Sequence, residues 1–218
     1  MSLTLIIGNK RYSSWSLRGW LAAKLTGEPV EERMVWLDQP ATRGHLLDAS
    51  PSGRVPVLLH EGRTIWDSMA IGLYLDRAFP KAKLLPADPA ALAHALAIAA
   101  EMHSGFAPLR DHMSMDLVAR LPGQCRGPGV AENIARIDAL WSDCRQRFGA
   151  GGPWLFGARP TLADCAYAPV ATRFRTYDVA LSTPAAAYRD TVLAWPLFRA
   201  WEAAAPGEPE LPNHGAAP

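Results

Sequence analysis

The sequence predicts a small α/β domain followed by an all-helical one. Two observations carry this. Strand-like and helix-like segments alternate through the first 80 residues, and beyond a proline-rich stretch the chain turns Ala-rich and helical. The predicted division is residues 1–80 for the first domain, 81–89 for a linker and 90–218 for the second.

Residues 3–7, LTLII, form a short apolar run, and GNKRYSS breaks it, so the chain opens with a strand and a loop. Leu17, Trp20, Leu21 and Leu25 have helical spacing within residues 15–25, and Gly27 and Pro29 stop that helix. Residues 30–37 predict a second strand, joined to the first by a right-handed parallel crossover. Residues 40–50 are polar, with one short helix. Residues 55–60 and 63–66 flank Glu61-Gly62, a hairpin signal, and residues 69–79 form an amphipathic helix ended by Pro80. Residues 80–90, PKAKLLPADPA, carry three prolines and read as the linker. Helices are then expected over 90–121, 130–148, 162–173 and, in pieces, 184–205. Pro108 is expected to kink the first of these, and residues 206–218 to fray.

Composition excludes several classes. A hydrophobic fraction of 49% and a charged fraction of 20% are those of a soluble globular chain. A net charge of +1 gives no reason to expect nucleic acid or an anionic membrane as partner. No apolar run approaches the roughly 18 residues of a membrane span. The basic residues of the start follow its apolar run, unlike a signal peptide. Cys125, Cys144 and Cys165 lie far apart without C-x-x-C spacing, which argues against a disulfide framework or a zinc site. The six histidines show no i, i+4 pair, so no metal is expected, and a reducing cytoplasm is the expected location.

Two short stretches raise chemical questions. Val55-Pro56 opens an apolar run, yet proline donates nothing to a sheet ladder. An X-Pro bond is the ordinary place for a cis peptide, and a cis bond here would turn the N–H and C=O of Val55 outward, where a peptide ligand can pair with them. The plainer alternative is that Pro56 begins an edge strand. Ten residues on, Asp67 and Ser68 stand at a helix start, where unpaired N–H groups attract a carboxylate. Asp67 can accept from an ammonium group there, or cap the helix, or do both. Farther along, Thr161 and Asp164 have the spacing of a capping box, with Pro160 and Cys165 at the staple positions. That is a folding signal, and Cys165 reads as a small core residue. His103, Phe106 and Arg110 have the spacing of one helical face, either core or interdomain.

Four stretches in order, RYSSWSLR (11–18), PSGRVPVL (51–58), WDSMAIGLYLDRAFP (66–80) and GARPTLADCAYAPV (157–170), resemble the cytosolic glutathione S-transferase family over nearly the whole chain. The resemblance implies a thioredoxin-like first domain with Pro56 cis. It implies that Val55 pairs with the cysteinyl backbone of glutathione and that Asp67 and Ser68 hold its γ-glutamyl end. Arg54 is either near the tripeptide or a solvated surface arginine. Serine-type members place the thiolate donor five residues before an arginine, which from Arg18 gives Ser13, with Ser14 and Tyr12 as alternatives. A hydroxyl donor and a helix N-terminus together favour thiolate over a thiol that titrates near 8.5. No cysteine lies in this loop, which argues against a redox or cysteine-type mechanism.

The implied activity is conjugation of the glutathione thiolate, as co-substrate, to small apolar electrophiles. The alternatives are a glutathione-dependent isomerase of the maleylacetoacetate type and a non-catalytic binding protein. The paired serines resemble the isomerase loop, although Trp15 stands where that loop has a cysteine. The family also implies a homodimer, with the first domain's edge and the 90–121 helix at the contact, and a role for His103 and Arg110 beside the electrophile.

Overall fold

The computed structural model describes residues 3–124 and 126–211. Strand β1 (Leu3–Ile7) is buried along its whole length. On one side it pairs in parallel with β2 (Val30–Met34), matching Leu3 with Val30. On the other it pairs antiparallel with β3 (Val57–His60), which turns at Glu61-Gly62 into β4 (Arg63–Trp66). The strand order is β2-β1-β3-β4. Helix α1 (Ser14–Leu25) joins β1 to β2, α2 (Thr42–Ala49) precedes the hairpin, and α3 (Ser68–Ala78) follows it. This is the thioredoxin-like arrangement. The rest is helical: α4 (Pro89–Ser104), α5 (Ala107–His112), α6 (Val130–Phe148), α7 (Leu162–Thr176), α8 (Thr183–Ala194) and α9 (Pro196–Glu202).

Helix α1 is the joint between the two halves. It packs against α3 on one side and α7 on the other, so its buried residues run around the helix and include Leu17, Gly19, Leu21 and Ala23. Gly19 is required by close approach: a Cβ there would lie 2.8 Å from Pro56 Cγ. The missing side chain thus seats the middle of α1 against Pro56, whose bond to Val55 is cis. Helix α7 is fixed by Asp164, fully buried, whose carboxylate accepts from Thr161 N at 2.7 Å, Thr161 Oγ1 at 3.0 Å, Leu155 N at 3.2 Å and Tyr188 Oη at 3.0 Å. Burial pushes this carboxyl up, against the pull of those donors.

Several expectations need correction. The helix expected over 90–121 ends at Ser104, because Gly105 and Phe106 break it, Phe106 in the left-handed region at φ 57°. Pro108 sits in the first turn of a new helix, where its missing N–H costs nothing, and so kinks none. His103, Phe106 and Arg110 therefore do not share one helix. The second strand stops at Met34, and the third begins at Val57, just past Pro56, which has no N–H to give a ladder. Helix α7 runs on to Thr176 across Pro169. Of the tail expected to fray, residues 206–211 are held against the body, with Leu211 buried, while 212–218 lie outside the described residues, as does Cys125.

Candidate functional site

Two adjoining grooves meet at the N-terminus of α1, sharing Trp15, Arg54 and Val55. The larger, about 720 Å³, also takes in Asp67, Ser68 and His103. The smaller, about 330 Å³, takes in Tyr12, Ser13 and Ser14. The two stretches that raised questions in the sequence thus converge. Val55 is half-buried and Arg54 exposed at the junction.

Ser13 is the N-cap of α1. Its Oγ accepts from Ser16 N at 3.2 Å and donates to Ser16 Oγ at 2.8 Å, and Ser16 Oγ in turn accepts from Gly8 N at 3.0 Å. The hydroxyl that the five-residue spacing singles out is therefore engaged in holding the loop. Ser14, one residue on, lines the same groove, and its hydroxyl has no hydrogen-bond partner among the described residues. The Tyr12 phenol is hydrogen-bonded to the backbone of Leu211, on the tail.

Asp67 does more than cap. At φ 74° it turns the chain into α3, and its Oδ1 accepts from Met69 N at 2.9 Å and Ala70 N at 3.2 Å. Its Oδ2 faces the groove, 3.2 Å from His103 Nε2. Ser68 is buried at the first position of α3, beside this oxygen.

Sequence reasoning missed Trp15, Arg18 and Arg173 at the centre of the site. Two guanidinium groups flank Trp15, that of Arg18 4.4 Å and that of Arg110 5.7 Å from its ring centroid, and the His103 ring packs edge-on at 5.1 Å. Arg110 Nη1 donates to Met102 O at 3.3 Å and His103 O at 3.2 Å, fastening α5 to the last turn of α4. His103 and Arg110 do meet, then, but through a chain break and not along a helix face. Arg18 and Arg173 are each 4% exposed. Each spends Nε on a carbonyl, that of Ala166 at 3.0 Å and that of Met113 at 2.7 Å. Arg18 Nη1 and Nη2 and Arg173 Nη1 are buried without a partner among the described residues. Burial pushes both guanidinium groups down, and the like charges of Arg173 and Arg110 push Arg18 farther. Arginine stays protonated at neutral pH, so positive charge collects behind Trp15 with little acid to balance it. The sequence offered Arg18 only as a ruler for spacing; the clustering comes from α1, α5 and α7 meeting.

Burial pushes the Cys144 thiol up to about 12 and that of Cys165 well up, which makes neither a nucleophile. Among the described residues no group of three His, Cys, Asp or Glu side chains is placed to hold a metal, and no helix is long and apolar enough to cross a membrane.

Residues 12–78 match the glutathione S-transferase N-terminal domain, and residues 127–207 the C-terminal domain. The chain is 30% identical over 175 residues to the maleylacetoacetate isomerase of Pseudomonas aeruginosa, covering 76% of this chain and 78% of that one. It belongs to the glutathione S-transferase family. Within that family it is also 29% identical over 210 residues to a maleylpyruvate isomerase of Ralstonia sp, covering 89% of this chain and 91% of that one. Among solved structures it is similar to the maleylacetoacetate isomerase of Anaeromyxobacter dehalogenans 2CP-1, which holds glutathione in its active site. The TM-score is 0.65 at 28% identity, over 95% of this chain and 99% of that one.

Proposed function

We propose that this protein is a glutathione-dependent cis–trans isomerase acting on a maleyl-type keto acid. The observation that carries the reading is the arginine cluster around Trp15, beside the groove that takes in Ser14 and Val55. Low-dielectric walls focus such a field on the groove, which favours an anionic acceptor over the neutral apolar electrophile of simple conjugation. The isomerase names of the similar proteins support the same choice.

In this reading glutathione lies along the larger groove. Its γ-glutamyl ammonium takes Asp67 Oδ2, displacing His103. Its α-carboxylate takes the start of α3 with Ser68, and its cysteinyl backbone pairs with Val55. The thiol then reaches the N-terminus of α1, where the free Ser14 hydroxyl donates to the thiolate and Ser13 holds the helix start in place. The thiolate adds to one carbon of the cis double bond, and the electron pair moves to the conjugated carbonyl oxygen as an enolate. The former double bond is now single and rotates. Collapse of the enolate expels the thiolate and leaves the trans double bond, so glutathione returns unchanged. Arg110, which flanks Trp15 from α5 and lines neither groove, contributes its charge to the field that favours the acceptor's carboxylate and the enolate oxygen.

The test is stoichiometry. With a maleyl keto acid, catalytic glutathione should convert many equivalents of acceptor, followed by loss of the cis absorbance. One glutathione consumed per acceptor indicates conjugation instead, and binding without turnover indicates a non-catalytic carrier. The protein is proposed to act as a homodimer, with exposed Trp66 and Leu73 in the contact; sedimentation at the 23.7 kDa monomer mass would count against that.

A further inference from the structure

The loop between β1 and α1 leads into both serines, and much of what fixes it lies far away in the chain. Lys10 N and Arg11 N donate to the two oxygens of one carboxylate, Glu208, at 2.8 and 2.9 Å. Lys10 O accepts from the Trp201 indole at 2.9 Å, and Arg11 O accepts from Leu117 N at 3.3 Å. The Arg11 guanidinium is bidentate on Asp116, at 2.9 Å on each arm, with Glu210 at 3.3 Å. Tyr12 is tied to Leu211, which is buried. Three consecutive residues just before Ser13 are thus clamped by groups that lie roughly 105 to 200 positions away in the chain.

We infer that Glu208 is a positioning residue for the reaction: by chelating two successive loop amides it fixes where the Ser13 and Ser14 hydroxyls stand. The inference rests on the proposed glutathione chemistry. Glu208 lines neither groove, so it acts through the loop. Charge-assisted bonds to backbone N–H groups are the stronger kind, and a carboxylate that accepts two of them at once fixes direction as well as distance. From Lys10 the constraint reaches Ser13 in one turn, since Asn9 O accepts from both Tyr12 N at 3.3 Å and Ser13 N at 2.8 Å. Catalysis depends on donor placement at the ångström scale, so a loosened loop should weaken the thiolate before it weakens ligand binding.

The experiment compares wild type, Glu208→Ala and Glu208→Gln, with Glu202→Ala as control. Glu202 is a carboxylate of the same C-terminal stretch, but it pairs with Arg175 and Arg199 and accepts from no loop amide. Three quantities are read: ultraviolet absorbance of the bound thiolate against pH, kcat and KM, and the unfolding midpoint. Glu208→Ala should raise the thiol pKa by about one unit and lower kcat about tenfold at neutral pH, with KM for glutathione little changed. Glu208→Gln keeps one acceptor oxygen and should fall between, which preserves the test if the alanine variant folds poorly. Glu202→Ala should move only the unfolding midpoint. If the Glu208 variants lose stability as the control does and leave the titration unmoved, Glu208 is structural only and the inference is overturned. A wild type that forms no thiolate overturns the glutathione reading and this inference with it.

Discussion

Ser13 and Ser14 are adjacent, equally buried and chemically identical, yet the structure gives them different work, and paired substitutions separate the two. Ser13→Ala removes the cap bond to Ser16 N and the bond to Ser16 Oγ. Loss of a helix N-cap typically costs about 1 kcal/mol, within a range of roughly 0.5–2. For a chain of this length that lowers the melting temperature by about 2–4 °C. Ser14→Ala removes a hydroxyl with no partner among the described residues, so stability should stay within about 0.5 kcal/mol of wild type. In the glutathione complex the expectation reverses. A hydrogen bond to a charged group is worth about 1.5–3 kcal/mol, so Ser14→Ala should raise the pKa of the bound thiol by roughly one to two units. Turnover at neutral pH should fall about 10- to 100-fold. Thiolate absorbance against pH and calorimetric melting, run on both variants, give the two columns of the comparison. A large shift of the titration in Ser13→Ala with none in Ser14→Ala would refute the assignment, because the Ser13 hydroxyl would then have left Ser16 to serve the sulfur.

Further outcomes are expected elsewhere. Asp67→Ala should weaken glutathione binding about 10- to 100-fold by calorimetry, since it removes the acceptor for an ammonium group, while its lost cap costs about 1 kcal/mol of stability. Asp116 opposes its own burial through the Arg11 guanidinium and the amides of Val118 and Ala119, which hold its carboxyl below the usual range. A depressed folded-state pKa contributes stability that is present above the unfolded value, about 3.9, and is lost as pH falls through the folded one. Denaturation midpoints should therefore fall with acid below about pH 4 in wild type, and by less in Asp116→Asn.

The fold was legible because its signals are local. The apolar run of β1, the Glu61-Gly62 turn and the Pro80 stop each sit within a few residues. The helix break at Gly105-Phe106 was hidden because Phe106 at φ 57° is held by burial in the core, and a phenylalanine there carries no turn signal of its own. The cis Val55-Pro56 bond and the Asp67 cap of α3 were legible for a similar reason: they are backbone devices, written in adjacent residues. On the acceptor side the family resemblance pointed to His103 and Arg110 but not to Trp15, Arg18 or Arg173. Trp15, Arg18, Arg110 and Arg173 come from three helices whose meeting depends on how α1 fits between the halves, and Glu208 reaches the loop from the far end of the chain.

That acceptor side yields the last prediction. Burying a guanidinium without a partner costs several kcal/mol, and Arg18 and Arg173 leave three such nitrogens unpartnered among the described residues. An anion that enters beside Trp15 relieves part of this cost, so it should bind and stabilise the protein even where it cannot react. A small dicarboxylate such as maleate is the probe, with acetate and chloride at matched ionic strength as controls. At a concentration 100 times its dissociation constant, a ligand of the folded state adds about 2.7 kcal/mol. Here that corresponds to a rise in melting temperature of about 5–10 °C. Arg110→Gln should abolish most of the rise while leaving glutathione affinity near wild type, since the proposed glutathione contacts are Val55, Asp67 and Ser68. Screening alone would make maleate and the matched salts indistinguishable. That result, or a rise that survives in Arg110→Gln, would remove the arginine cluster as grounds for an anionic acceptor and return conjugation of a neutral electrophile to first place.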